Sequence, residues 1–129
     1  MAYLLIAIGS ALGGMARYGV GQLVGERLAP FPLATLLVNV LGSFLIGVAA
    51  AFVSVHAKPA AAQFTREFVM IGVLGGFTTF SAFSLQTLEL LRAGRASGAL
   101  VNIASSIVLC LLAVWLGYAL CTRLNTSVG

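Results

Sequence analysis

Four predominantly apolar stretches, each 20 or more residues long, dominate this chain and leave little else to fold. They run from about Tyr3 to Val24, Leu33 to Val55, Phe68 to Leu91 and Ala99 to Cys121. A helix needs roughly 20 apolar residues to cross about 30 Å of hydrocarbon, so each stretch is long enough for one crossing. In a soluble bundle, apolar stripes would alternate with a charged back face. Here the apolar residues cover every side. Charged residues make up only 8 % of the chain, hydrophobic residues 60 %, and the mean hydropathy is +1.09. That charge content is far below the roughly 25 % of average soluble chains. Because backbone groups inside lipid must be satisfied internally, the expected form is all-α. The sequence therefore predicts a single domain over residues 1–129, made of four transmembrane helices.

The connections are short. Gly25–Pro32 contains Glu26 and Arg27, His56–Glu67 contains Lys58 and Arg66, and Arg92–Gly98 contains Arg92 and Arg95. Met1–Ala7 has no basic side chain and its apolar run continues past a signal core, so it reads as a span rather than a leader. Cys110 and Cys121 lie eleven residues apart on one predicted helix. The separation is roughly 16 Å at 1.5 Å per residue, too far for a disulfide. Neither C-x-x-C nor a Cys/His cluster suggests a metal site. No Ser/His/Asp set, paired carboxylates or phosphate-cradling loop is present, which argues against an enzyme.

An even number of spans places both termini and the second loop on one side. Lys58, Arg66 and Arg123 fall there, against Arg27, Arg92, Arg95 and the nearby Arg17 on the other side. Orientation follows Lys/Arg imbalance, and three against four is almost none. Such balance fits a chain that inserts both ways and assembles as an antiparallel pair; orientation by a partner is the other account. The net charge of +4 belongs to the short loops and does not form a nucleic-acid surface.

Small residues recur at four-residue spacing in Gly9/Gly13, Gly21/Gly25, Ser43/Gly47 and Gly72/Gly76, a pattern that lets helix backbones approach closely. Span 3 contains Gly75-Gly76-Phe77-Thr78-Thr79-Phe80-Ser81-Ala82-Phe83-Ser84. Paired glycines and threonines weaken a helix, predicting a break in mid-membrane whose freed carbonyls, near Gly75 and Thr78, suit a cation. A close helix crossing, with hydroxyls bonded back to their own helix, accounts for the same composition. Phe77, Phe80 and Phe83 are placed near one face by their spacing. Their ring edges are positive and can face a small anion, although such stripes also serve as core packing. Asn39 in span 2 is either interhelical glue or an amide donor. Asn102, Ser106 and Cys110 form a weakly polar stripe on span 4, with Ser105 beside it. Arg17 is costly facing lipid, so it either snorkels, binds carbonyls at a vestibule or attracts anions. Glu89 lies late in span 3, and His56 sits at a span boundary with no partner evident in sequence. Trp115, Tyr3 and Tyr118 read as packing or interface anchors.

Laid out this way, the chain resembles the Fluc fluoride channel family, also called CrcB. The resemblance covers nearly the whole chain. It is carried by Gly13-Gly14-Met15-Ala16-Arg17-Tyr18, by Thr35-Leu36-Leu37-Val38-Asn39 with Gly42 and Gly47, by Gly94, and most specifically by the Gly75–Ser84 string. The resemblance implies a passive, fluoride-selective channel in the bacterial inner membrane, formed by an antiparallel homodimer with two narrow pores. It also implies a structural Na⁺ held by the carbonyls of Gly75 and Thr78 from both subunits. Phe80 and Phe83 would be the phenyl contacts, Asn39 the amide donor, Ser81 and Ser106 the polar lining, and Arg17 a residue at the pore entrance. Ala82, Gln86, Cys110 and Val114 depart from threonine, glutamate, serine and threonine, common in the family at these positions. They thin the hydroxyl track and leave the phenyl and Na⁺ features intact. The rival by function is a small dual-topology exporter of organic cations, which needs an acidic residue deep in a span. Glu89, late in span 3, is a poor candidate for that role. A non-conducting subunit of a larger complex is a third reading, disfavoured by the span 3 string.

Overall fold

The computed structural model describes residues 1–24, 31–55 and 57–126. Glu26 and Arg27 of the first connection, Gly25 of the Gly21/Gly25 pair, and His56 lie outside the described residues. Among those described, all regular structure is helical. The elements are α1 (Ala2–Val24), α2 (Leu33–Val55), α3 (Pro59–Phe64), a π-helical stretch (Thr65–Leu74), α4 (Gly75–Phe77), α5 (Phe80–Arg92) and α6 (Ala96–Thr126). Four segments are long and apolar enough to cross a membrane: Ala2–Val24, Leu33–Val55, Pro59–Arg92 and Ala96–Arg123. The architecture is thus all-α with four spans.

Two spans begin earlier than hydropathy suggests. The third becomes helical at Pro59 rather than Phe68, since Pro59 occupies a first-turn position after the Lys58 cap and a run of alanines follows. Proline fits the first turn because its missing N–H would be unpaired there anyway. The fourth begins at Ala96 and extends to Thr126, a 31-residue helix of roughly 46 Å at 1.5 Å per residue. Hydropathy locates the membrane crossing, whereas helix ends are set by caps and turns.

Between α5 and α6 the turn is closed by hydrogen bonds to freed carbonyls. Gly94 N–H donates to the Leu91 carbonyl at 3.0 Å and Arg95 N–H to the Leu90 carbonyl at 2.9 Å. Gly94 adopts φ +72°, the left-handed conformation that this closing motif requires and that glycine takes without penalty.

The spans pair first with third and second with fourth. α1 lies along the π-helical stretch and α4, and α2 packs chiefly on α6. A Cβ on Gly9 would meet the backbone of Phe68 and Gly72, and one on Gly13 would land on the Val73 carbonyl. One on Gly76 would come within 2.5 Å of the Ser10 carbonyl. Thus Gly9/Gly13 and Gly72/Gly76 mesh with each other. On the other pair, Gly47 faces the Val114 carbonyl and Gly117 the Phe44 carbonyl. Gly21 has nothing within 4 Å and takes no part in such a crossing.

Much of this packing is made by small side chains. The most buried residues include Val38, Ala51, Ala99 and Asn102, and Leu74, Leu90 and Phe77 are also buried. Most other large apolar side chains point outward, among them Tyr3, Trp115 and many leucines. That inversion is expected where lipid, not water, is the solvent.

Candidate functional site

The third span is interrupted near its middle. α4 ends at Phe77, Thr78 has φ −80° and ψ 158°, Thr79 has φ −153° and ψ 112°, and α5 starts at Phe80. Each threonine has a distinct part. Thr78 donates both its N–H and its hydroxyl to the Leu74 carbonyl, at 2.9 Å each, closing the upstream helix. Thr79 is the N-cap of α5: its Oγ1 accepts from the Ala82 N–H at 3.2 Å, as cap threonines do. Oγ1 of Thr79 also lies 3.2 Å from Ser81 Oγ. Of the glycines and threonines expected to weaken the helix, the threonines carry the interruption, since both glycines are helical. Gly76 is there for its contact with Ser10.

Asn39, half-buried on α2, grips this interruption with both ends of its carboxamide. Nδ2 donates to the Thr79 carbonyl at 3.1 Å, and Oδ1 accepts from the Thr79 N–H at 2.8 Å. In a continuous α-helix that N–H would bond the Gly75 carbonyl, and the Ala82 N–H would bond the Thr78 carbonyl. Asn39 diverts the first donor and the Thr79 hydroxyl the second. Gly75 and Thr78 thereby lose their helical donors, and Arg17 Nη1 reaches the Thr78 carbonyl at 3.2 Å. Of the placements considered for Arg17, the structure shows the one on a carbonyl.

Two cavities flank the break. One of about 560 Å³ is bordered by Arg17, Tyr18, Thr35, Thr79 and Ser81. The other, about 320 Å³, is bordered by Asn39, Gly75, Thr78, Thr79, Phe80 and Cys110. Thr79 borders both, so its capped and clamped backbone stands between them.

The aromatic residues divide at the same point. Phe80 and Phe83 form a tilted pair with centroids 5.2 Å apart and planes at 47°. Phe80 is 78 % exposed, whereas Phe77 is only 8 % exposed. Phe77 therefore does not share their face: the extended residues between the helices break the three-residue spacing. Ser106 is buried on α6, one turn before Cys110, and borders neither cavity. Ser81, on the larger cavity, and Phe80, on the smaller, lie on opposite sides of the break.

From sequence Thr79 reads only as a helix-weakening residue and not as a cap, although a threonine three residues before a helical N–H is a cap signal. The role of Thr87, which accepts a hydrogen bond from Asn102 at 2.9 Å, was also missed. No group of three or more His, Cys, Asp or Glu among the described residues could hold a metal ion.

Fold and site together define a small multi-pass helical membrane protein whose interrupted third span gathers hydrogen-bonding groups from two other spans. The chain belongs to the CrcB family: the family described as CrcB-like protein, Camphor Resistance (CrcB), matches residues 4–118. It is similar to a protein of Methylocella silvestris named fluoride-specific ion channel FluC, 51 % identical over all of this chain and 99 % of that protein. Proteins of the same name from Opitutus terrae and Thermus thermophilus are 49 % and 48 % identical. Those matches span 98 % and 92 % of this chain, and 97 % and 93 % of the respective relatives.

Proposed function

We propose that this chain forms a fluoride-selective channel that lets the anion leave the cytoplasm passively across a bacterial inner membrane, reducing fluoride toxicity. The observation that carries the reading is the full-length similarity to proteins named fluoride-specific ion channel. The interrupted third span, with carbonyls that have lost their helical donors, supports it. A small anion must exchange its hydration for donors that hold it weakly enough to release it. Asn39 has one amide hydrogen left after its bond to the Thr79 carbonyl, and Ser81 adds a hydroxyl near the other side of the break. The positive ring edges of Phe80 and Phe83 tolerate the charge without trapping it. Ser106, buried one turn before the cavity-lining Cys110, would extend the polar lining along α6 beyond the cavity itself, and Arg17 would hold a pore entrance.

The working unit on this reading is an antiparallel homodimer with two pores. Near-even basic residues on the two faces support dual insertion. The outward Phe80 ring supports a second copy across the span 3 face. The broken third helix would then lie at mid-membrane, where freed carbonyls need protein or an ion to satisfy them. Gly75 and Thr78 fit a structural Na⁺ in donor type, since both carbonyls have lost their helical donors and hard oxygen ligands suit hard cations. The Thr78 oxygen, which accepts from Arg17 at 3.2 Å, would bind through its second lone pair. One chain offers two such carbonyls and the antiparallel partner would offer two more. Bound there, the ion would supply positive charge that ties the two breaks together.

An organic-cation exporter would need a deep carboxylate. Among the described residues none borders either cavity, Glu89 is exposed near the end of α5, and Glu67 accepts a hydrogen bond from Gln63 at the span's start. The test in cells is growth. Expressed in a bacterium lacking its own fluoride export, the chain should restore growth at fluoride concentrations that arrest the empty-vector control. No rescue, with the protein present in the membrane fraction, would contradict the reading.

A further inference from the structure

We infer that Asn102, on α6, is a positioning residue for the Phe80–Phe83 pair, acting through the hydroxyl of Thr87; this rests on the reading that those rings line the fluoride pathway. Asn102 is 2 % exposed, the most buried large polar side chain described. A carboxamide so deep in a span is costly unless bonded. Its Nδ2 donates to Thr87 Oγ1 at 2.9 Å, and Thr87 Oγ1 donates to the Phe83 carbonyl at 2.7 Å. A hydroxyl has a single hydrogen, so the direction is fixed: amide to hydroxyl to carbonyl. Each bond polarises the next.

This relay matters because it is a side-chain tie from α6 to the middle of α5, between the two tied ends. α5 packs mainly on α6 and only slightly on α2. Its first turn is tied by the Thr79 cap and its last by the turn at Gly94, with Leu90 buried beside Gly98. Gln86, one residue before Thr87, offers no second tie, since its Oε1 is buried without a partner among the described residues. Phe80, Phe83 and Thr87 follow the i, i+3, i+7 spacing of one helix face. Fixing the rotation of α5 at Thr87 therefore fixes where both rings point.

The test compares Asn102→Leu, Thr87→Val, Thr87→Ser and the Asn102→Leu/Thr87→Val double variant, reconstituted as full chains. Two readouts are used: fluoride efflux from liposomes, and the ¹⁹F resonance of 4-fluorophenylalanine placed at Phe83. Asn102→Leu and Thr87→Val should each lose roughly tenfold or more in fluoride rate, as small misplacements of reacting groups do. Each should also shift or broaden the position-83 resonance. Thr87→Ser keeps the hydroxyl and should retain most of the rate and the native resonance. The double variant should be no worse than either single one, because one coupled chain is cut once. Native flux and an unchanged resonance in Thr87→Val, or additive losses in the double variant, would overturn the inference. If Asn102→Leu does not fold, the Thr87→Val and Thr87→Ser comparison still decides. Failure of the unsubstituted protein to conduct fluoride would instead overturn the functional reading, and the resonance would still report on positioning.

Discussion

The carboxamide of Asn39 and the backbone of Thr79 form a closed two-bond pair between the second and third spans, at 3.1 Å and 2.8 Å. The pair does locally what a base pair does: each partner is donor and acceptor at once. Its consequence is felt four residues upstream, where Gly75 loses the N–H that would have continued the helix. The interruption of span 3 is therefore held open from span 2, not only by the composition of span 3.

Replacing Asn39 by Leu should let the Thr79 N–H return to Gly75 or leave it unpaired. An unsatisfied buried backbone group costs about 1–3 kcal/mol, and thermal unfolding in detergent should register a loss of that order. Equal stability of Asn39→Leu and the parent chain would mean that the pair holds nothing.

The meshed glycines predict a position-specific response to a single methyl group. Gly13→Ala places a Cβ against the Val73 carbonyl, while Gly14→Ala meets nothing within 4 Å. Backbone cannot give way as a side-chain tip can, so Gly13→Ala should destabilise by about 1–3 kcal/mol and Gly14→Ala should be close to neutral. Unfolding in a denaturing detergent titration distinguishes them, and similar effects at both positions would contradict the packing described.

Phe80→Ile and Phe83→Ile remove the ring edges and keep comparable apolar bulk. Each should abolish most fluoride flux with the assembly intact on size exclusion. Unchanged flux would reduce the rings to packing.

The proposed cation site predicts a dependence on Na⁺. Exchanging it for N-methylglucamine should lower the melting temperature of the purified protein or dissociate it, and that sensitivity should be lost in Asn39→Leu. Indifference of the parent protein to the exchange would count against Gly75 and Thr78 as ligands.

How much of this is legible in the sequence depends on range. The four spans follow from hydropathy, because lipid leaves the backbone few alternatives. The small-residue pairs were readable, but not that Gly9/Gly13 would lie against Gly72/Gly76, because partner choice joins positions some 60 residues apart. Gly75, Gly76, Thr78 and Thr79 marked a weak helix, yet only the partners show why the threonines carry the interruption: Gly76 is fixed by Ser10, and Thr79 by Asn39. Phe77 was grouped with Phe80 and Phe83 because three-residue spacing assumes an unbroken helix. Asn102 was readable as polar, but its bond to Thr87 was not, since the turn at Gly94 decides which residues of α5 and α6 face each other.

Fluoride efflux from liposomes containing the purified protein, measured beside chloride, tests the central claim most directly. The account predicts rapid fluoride release with chloride retained, and the fluoride release lost in Phe80→Ile. Well-folded protein that releases neither anion, or both alike, would contradict it.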